Sequence, residues 1–310
     1  MTLNVTHVHG DRVTVSAGDA DLLAYVYRPD PDPYESRKPY IHPLRTLAGN
    51  LVTGYRPSDH RWHKGVQMTA SHLSGQNFWG GNSYLGPDQG YQRVPERVGW
   101  MRHDGFSAVD AAGGRLDIAE DLTWISYGGE EWAREQRGVA VHSVDEAAGA
   151  YVLDWSIRLT NIRSEPLRFG SPTTAGREMA GYTGLQWRGP RDFTGGQVLT
   201  PAGPSTDQET MGTPAAEMPW IAFTAEHDDV DAHSTLVFAH APENLGEDAI
   251  HPSHWFVRSV PIPTVAFSWA FFEEFALEPQ QSFAFRYRIV VADGAWDQDR
   301  VAGHLAGLAW

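Results

Sequence analysis

Along residues 150–163, AYVLDWSIRLTNIR, apolar and polar positions alternate with a period of two. Tyr151, Leu153, Trp155, Ile157 and Leu159 share one face, and Asp154, Ser156, Arg158 and Thr160 share the other. That pattern predicts a β-strand buried on one side. Shorter alternations occupy 11–16 (DRVTVS) and 21–27 (DLLAYVY), with a Gly-Asp turn between them that predicts a hairpin. Further strands are expected at 115–127, 138–143 and 283–292, and at 219–226 paired with 234–240 around the polar turn HDDVDAH. Helical periodicity is confined to DQDRVAGHLAGLAW, 297–310, where Asp297 or Asp299 would cap the start. The stretch 163–218 reads as long connections that carry function. With 31 glycines, 20 prolines and no βαβ rhythm, the chain is expected to be all-β. We expect one antiparallel β-sandwich domain over 1–310, with a short C-terminal helix.

Composition changes this picture in three ways. The formal net charge of −15 argues against nucleic acid and anionic membranes as partners, because both need clustered Lys and Arg. The absence of cysteine removes disulfides, thiolate metal sites and thiol nucleophiles. No segment approaches the ~20 apolar residues of a membrane helix, and the N-terminus lacks the pattern of a secretory leader, so a cytoplasmic location is the expectation. The sequence leaves homo-oligomer formation open.

The 14 histidines and 12 tryptophans are generous for 310 residues. Histidine titrates near neutrality, and tryptophan offers a flat apolar face that suits sugar rings as well as a core. The densest grouping is SDHRWHKG, 58–65, with PYIHPLRTLAG upstream from 39. It makes His42, Asp59, His60 and His63 candidate acid–base residues. Between Pro57 and Gly65 a helix is not expected, so His60 and His63 can converge only in an irregular loop. With a carboxylate such as Asp59 or Glu178, His42, His60 and His63 also form a candidate N/O site for zinc or manganese. Candidate substrate-binding residues are Arg45, Asn77 and Trp79 (in NFWGG), Trp187, Arg188 and Asp192 (in GLQWRGPRDFTGG), and His251 and His254 (in HPSHWFVRS). Arg191 and Asp192 admit a second reading, as a pair bracing a long connection. Other carboxylates within these segments are Glu273 and Glu274. No glycine-rich run leads through Lys-Ser/Thr into a helix, so no nucleotide cofactor is expected.

The order of these motifs, from about residue 38 to 294, resembles the PmoA-like family, soluble bacterial proteins named after a methane-oxygenase subunit but not equivalent to it. The resemblance implies a β-supersandwich similar to galactose-mutarotase-like domains, associated with sugar catabolism. Relatives commonly carry a further histidine beside His63, where this chain has Trp62. The expected activity is cleavage or isomerisation of a glycoside or keto-glycoside by His/carboxylate acid–base chemistry, with a metal as an optional aid. A lyase or hydrolase suits the residues best. The alternatives are a sugar epimerase or mutarotase, and a non-catalytic carbohydrate-binding or accessory subunit.

Overall fold

The computed structural model describes residues 2–310. Two large sheets face each other across an apolar interior, and every strand pairing within them is antiparallel. The nine-stranded sheet runs, in spatial order, Gly203–Ser205, Gln197–Thr200, Trp220–Glu226, His233–His240, Ser282–Asp293, Ala150–Asn161, Glu131–Asp145, Arg115–Ile125 and Trp100–Ala112. The eight-stranded sheet runs Leu3–Val8, Arg12–Ala17, Ala20–Val26, Tyr40–Leu44, Val66–Thr69, Gly184–Arg188, Thr264–Ser268 and His254–Arg258. Two smaller sheets trim the edges, one of them joining Phe275–Leu277, Leu167–Gly170 and His72–Leu73. The expected all-β antiparallel sandwich is the architecture observed.

Most predicted strands form within a residue or two of their expected ends. The expected hairpin pairs Arg12–Ala17 with Ala20–Val26. On Ala150–Asn161, the five apolar residues at 151, 153, 155, 157 and 159 all enter the core shared by the two sheets. The loop-rich stretch 163–218 is less irregular than expected, since strands form at Leu167–Gly170, Gly184–Arg188, Gln197–Thr200 and Gly203–Ser205. The helix Gln298–Ala306 starts at Asp297, whose carboxylate accepts the Arg300 N–H at 2.8 Å. Trp296 and Val301 cover Val152, Val237 and Val290 on the outer face of the nine-stranded sheet.

One polar network crosses the apolar interior. Arg137, fully buried, forms a fork on Glu135 at 2.7 and 2.9 Å and donates to the Tyr25 hydroxyl. Tyr25 in turn donates to Glu120, which also meets His103 Nδ1 at 2.6 Å. Each buried charge there has a partner, which is the condition under which such groups are tolerated. The opposite face of the eight-stranded sheet forms the floor of the cleft described next. Among the described residues, no helix is long and apolar enough to cross a membrane.

Candidate active site

Four adjacent strands make the floor. In their register, Gln67, Gln186, Ala266 and Phe256 lie in one row, and Arg188, Thr264 and Arg258 in another. The alternate residues Val66, Met68, Leu185, Trp187, Val265, Phe267, Trp255 and Val257 point into the core. Period-two geometry therefore divides the labour: one face packs the sandwich and the other carries polar groups. Gln67 donates to Gln186 Oε1 at 2.8 Å and to the Trp62 carbonyl at 3.1 Å. Gln186 donates to Thr264 Oγ1 at 3.2 Å, tying the floor together.

Loops raise the walls of a cleft of about 420 Å³, bounded by Asp59, His60, Trp62 and His63 on one side and Tyr91, Arg177 and Tyr182 on another. Trp79, Gly80 and Asn82 line it from a third loop, and Phe256, Arg258, Ile262 and Thr264 from the floor and its rim. Between Pro57 and Gly65 the chain makes two successive turns, closed by His60 N–H to Pro57 O and His63 N–H to His60 O, both 2.9 Å. This irregular path brings the His60 and His63 rings to 4.9 Å, as the loop reading required. From Trp62 the rings continue as an arc through His60, His63, Trp79 and Tyr182 to Phe256, with successive centroids 4.5–5.6 Å apart.

Two features hold the arc. Asn77 accepts the backbone N–H groups of Trp79 and Gly80 at 2.9 Å each and donates to Ser83 Oγ at 3.2 Å. Gly80 and Gly81 adopt φ of +98° and +74°, and a Cβ at Gly81 would lie 2.5 Å from the Trp62 ring. Behind this turn, the buried Lys38 ammonium donates to the Trp79 carbonyl at 2.9 Å. The buried Glu35 carboxylate binds Lys64 at 3.1 Å and Arg56 through a fork at 2.7 and 2.9 Å.

Asp59 Oδ2 stands 3.4 Å from His60 Nδ1, an ionic contact longer than a good hydrogen bond, and Asp59 Oδ1 accepts from Arg191 at 3.0 Å. Burial lowers the His60 pKa; the Asp59 carboxylate opposes this but does not reverse it. Partial burial disfavours charge on Asp59, but its own backbone N–H, His60 and Arg191 outweigh that and hold the carboxyl below its ordinary value. His63 is 3% exposed, and burial with the neighbouring His60, Arg188 and lysine charges pushes its pKa well down. Both imidazoles are thus neutral near pH 7.

The residues named from sequence separate accordingly. Asp59, His60, His63 and Trp79 line the cleft. His42 does not: its Nδ1 meets Thr53 Oγ1 at 2.9 Å and its ring stacks on Tyr55 at 4.8 Å. Burial lowers its pKa to about 4. Arg45 is turned to the Gly49 carbonyl at 3.0 Å. Asn77 is 3% exposed and shapes the turn instead of the lining. Trp187 belongs to the core, with its indole N–H on the Val52 carbonyl at 2.8 Å, so it is no sugar platform. Arg188 lies on the cleft face beneath the lining, 1% exposed, and its Nη1 makes no hydrogen bond within the chain. Asp192 pairs neither with Arg191 nor with the cleft; it faces His227 Nδ1 at 3.6 Å. His251 stacks on Phe275 at 5.0 Å, and His254 packs against Phe271 and Phe272, both outside the lining. Glu178, Glu273 and Glu274 are exposed and also lie outside it.

The candidate metal set His42, His60 and His63 does not converge, because Thr53 and Tyr55 hold His42 elsewhere. Among the described residues, the metal-ligating atoms that gather within 4.8 Å are those of Asp192, His227 and Asp229, none of which lines the cleft. The cleft thus lacks the three-ligand geometry of an open metal site. Sequence reasoning missed Trp62, Tyr91, Arg177, Tyr182 and Arg258 as wall residues. Trp62, Tyr182 and Arg258 fell inside motifs but were not singled out as lining; Tyr91 and Arg177 fell outside them, and their proximity depends on the closed fold.

A comparison with curated proteins found no match. Among solved structures, the chain is similar to the GH36 alpha-galactosidase AgaA from Geobacillus stearothermophilus, with 11% identity and a TM-score of 0.42, over 94% of this chain and 41% of that one. It is also similar to a putative aldose 1-epimerase from Klebsiella pneumoniae subsp. pneumoniae MGH 78578, with 9% identity and a TM-score of 0.41, over 97% of this chain and 84% of that one. The chain thus spans about two fifths of the length of the galactosidase, and likenesses this distant carry nothing about activity. Residues 12–306 match the family of unknown function DUF6807, and the chain belongs to that family.

Proposed function

We propose that the chain is a carbohydrate-active enzyme working by acid–base chemistry at His60 and Asp59. The observation that carries this reading is the His60 ring 3.4 Å from the Asp59 carboxylate, set in an aromatic arc around a cleft of about 420 Å³. That volume lies within the range of small-ligand pockets, and flat rings such as Trp62 and Trp79 suit the apolar faces of sugars. The reading keeps the expectation of sugar catabolism drawn from the resemblance to PmoA-like proteins.

The reaction we favour is a lyase-type cleavage of a keto-glycoside or related sugar. His60 removes a proton from a carbon beside a carbonyl, and the C–H electron pair moves onto the carbonyl oxygen as an enediolate. The enediolate then re-forms the carbonyl, a C=C bond forms, and the β C–O bond breaks. The departing oxygen takes the proton from the His60 imidazolium, so the enzyme ends as it began. Asp59 stabilises the imidazolium between the two steps, and Arg191 holds Asp59 in place. The cationic row of Arg188 and Arg258 opposes the negative charge that develops on oxygen.

The test is a turnover screen over glycosides and their keto forms, with wild type, His60→Asn and Asp59→Asn compared on any substrate found. We expect His60→Asn to lose about 10²–10⁴-fold in kcat while KM changes little. Full turnover by His60→Asn would discard the histidine mechanism. Sugar binding with no turnover anywhere in the screen would favour a non-catalytic carbohydrate-binding protein instead.

A further inference from the structure

The chain as a whole is strongly acidic, yet its cleft is cationic. Arg177 and Arg258 line the cleft, and Arg188 lies in the same row of the floor, across Thr264 from Arg258. Neighbouring strands lie about 4.8 Å apart, so the backbones of Arg188 and Arg258 stand roughly 10 Å apart across the floor. Among the described residues, none of the three arginines has a carboxylate oxygen within 4.0 Å, although ten other arginines of the chain do.

The carboxylates that act electrostatically on Arg188 and Arg258, Asp59 and Asp207, lie beyond ion-pair distance of them. Asp59 is the one acidic residue of the lining, and it is held by Arg191 at 3.0 Å and by His60. Asp207 lies beyond the rim and accepts the Ser259 N–H at 2.7 Å. The arginines meet aromatic groups instead. Arg177 donates to the Tyr91 hydroxyl and lies 4.9 Å from that ring; Tyr91 and Tyr182 share a hydrogen bond of 2.7 Å. Arg258 lies 5.4 Å from the Phe256 ring. Burial, with the Arg177 charge next, pushes the Arg258 guanidinium below its ordinary value. Arg188, buried, keeps an Nη1 with no acceptor in the chain. Buried cations without a directly paired carboxylate are costly, and a planar guanidinium matches a planar carboxylate through two parallel hydrogen bonds.

We propose that the cleft selects an acidic sugar, a uronate-type ring whose carboxylate is read by Arg258 and Arg177 while its apolar faces meet the tryptophan and tyrosine rings. This rests on the carbohydrate reading of the same cleft and names its substrate class. The tyrosine pair supplies hydroxyls for the remaining carboxylate lone pairs, and Arg188 adds positive potential from below. A neutral hexose fits the aromatic arc equally well but leaves both guanidinium groups without an acceptor.

The experiment is calorimetric binding of a panel of mono- and disaccharides, each as the neutral sugar, the C6 carboxylate and the C6 phosphate. The proteins compared are wild type, Arg258→Gln, Arg177→Gln and Arg258→Lys, each checked for folding by its thermal midpoint. The expected result is a carboxylate preference over the neutral sugar of at least about tenfold, given the strength of a charge-assisted fork. Read as the ratio of carboxylate to neutral-sugar affinity within each protein, that preference should vanish in Arg258→Gln and shrink in Arg177→Gln. Arg258→Lys keeps charge without the fork and should restore only part of it. If Arg258→Gln does not fold, Arg258→Lys and Arg177→Gln decide the same comparison. Equal binding of neutral and carboxylate forms, or a preference for phosphate, overturns the uronate proposal and leaves the carbohydrate reading standing. Binding of no sugar in any form overturns both.

Discussion

The charge on Asp59 sets how basic His60 can be. Burial lowers the His60 pKa, and the carboxylate at 3.4 Å recovers part of the loss. Asp59→Asn removes that support, so the acid limb of the kcat/KM profile should move to lower pH as kcat falls. A limb that moves to higher pH would contradict the pairing. His60 and His63 were legible as a pair because they lie three residues apart in one loop. Trp187 was misread for a physical reason: its strand is buried on both faces, so alternation alone could not say which face meets the core. Arg177 carried no local signal, since its role depends on a closure between distant segments.

At the scale of elements, the turn 77–81 is the hinge on which the aromatic arc depends. Asn77→Ala leaves the N–H groups of Trp79 and Gly80 without their acceptor. We expect a loss of about 1–3 kcal/mol, the usual cost of an orphaned buried donor, measured by urea unfolding. An unchanged midpoint would mean that the turn is held elsewhere. Gly81→Ala is a sharper probe, because its φ is +74° and its new Cβ would press on the Trp62 ring. That variant should weaken sugar binding about tenfold through displacement of Trp62, a loss visible in the calorimetric titration. The strand pattern of this region was readable only in part. His254–Arg258 alternates, with Trp255 and Val257 inward and Phe256 and Arg258 on the cleft face. His254 shares that face but lies against Phe271 and Phe272.

The molecule as a whole stores several histidines in neutral form. Burial lowers His42 to about 4 and His240 to about 3, and lowers His63 and His72 as well. An unfolded histidine titrates near 6.5, so between that pH and about 4 the unfolded chain binds more protons than the folded one. Stability from these residues is therefore complete above pH 7 and declines as pH falls through the window from 6.5 towards 4. Urea unfolding at pH 7.5, 6 and 5 should show a falling midpoint before the carboxylates titrate; a flat midpoint over that range would refute this. Asp154, opposed by burial but held by Arg288 and His142, adds its own loss at lower pH. His103 and His227 lie outside the motifs singled out from sequence, yet both rings are enclosed, each against a carboxylate. The sandwich itself was legible because strands such as Ala150–Asn161 bury one face in the core and leave the other to polar partners.

The two-faced floor has an evolutionary consequence. On Gly184–Arg188 and on its neighbours, core residues and cleft residues alternate one by one. A mutation at Arg258 alters the cleft face without touching Trp255 and Val257, the core side chains of the same strand. Selection can therefore retune recognition at one set of codons while stability is guarded at the codons between them.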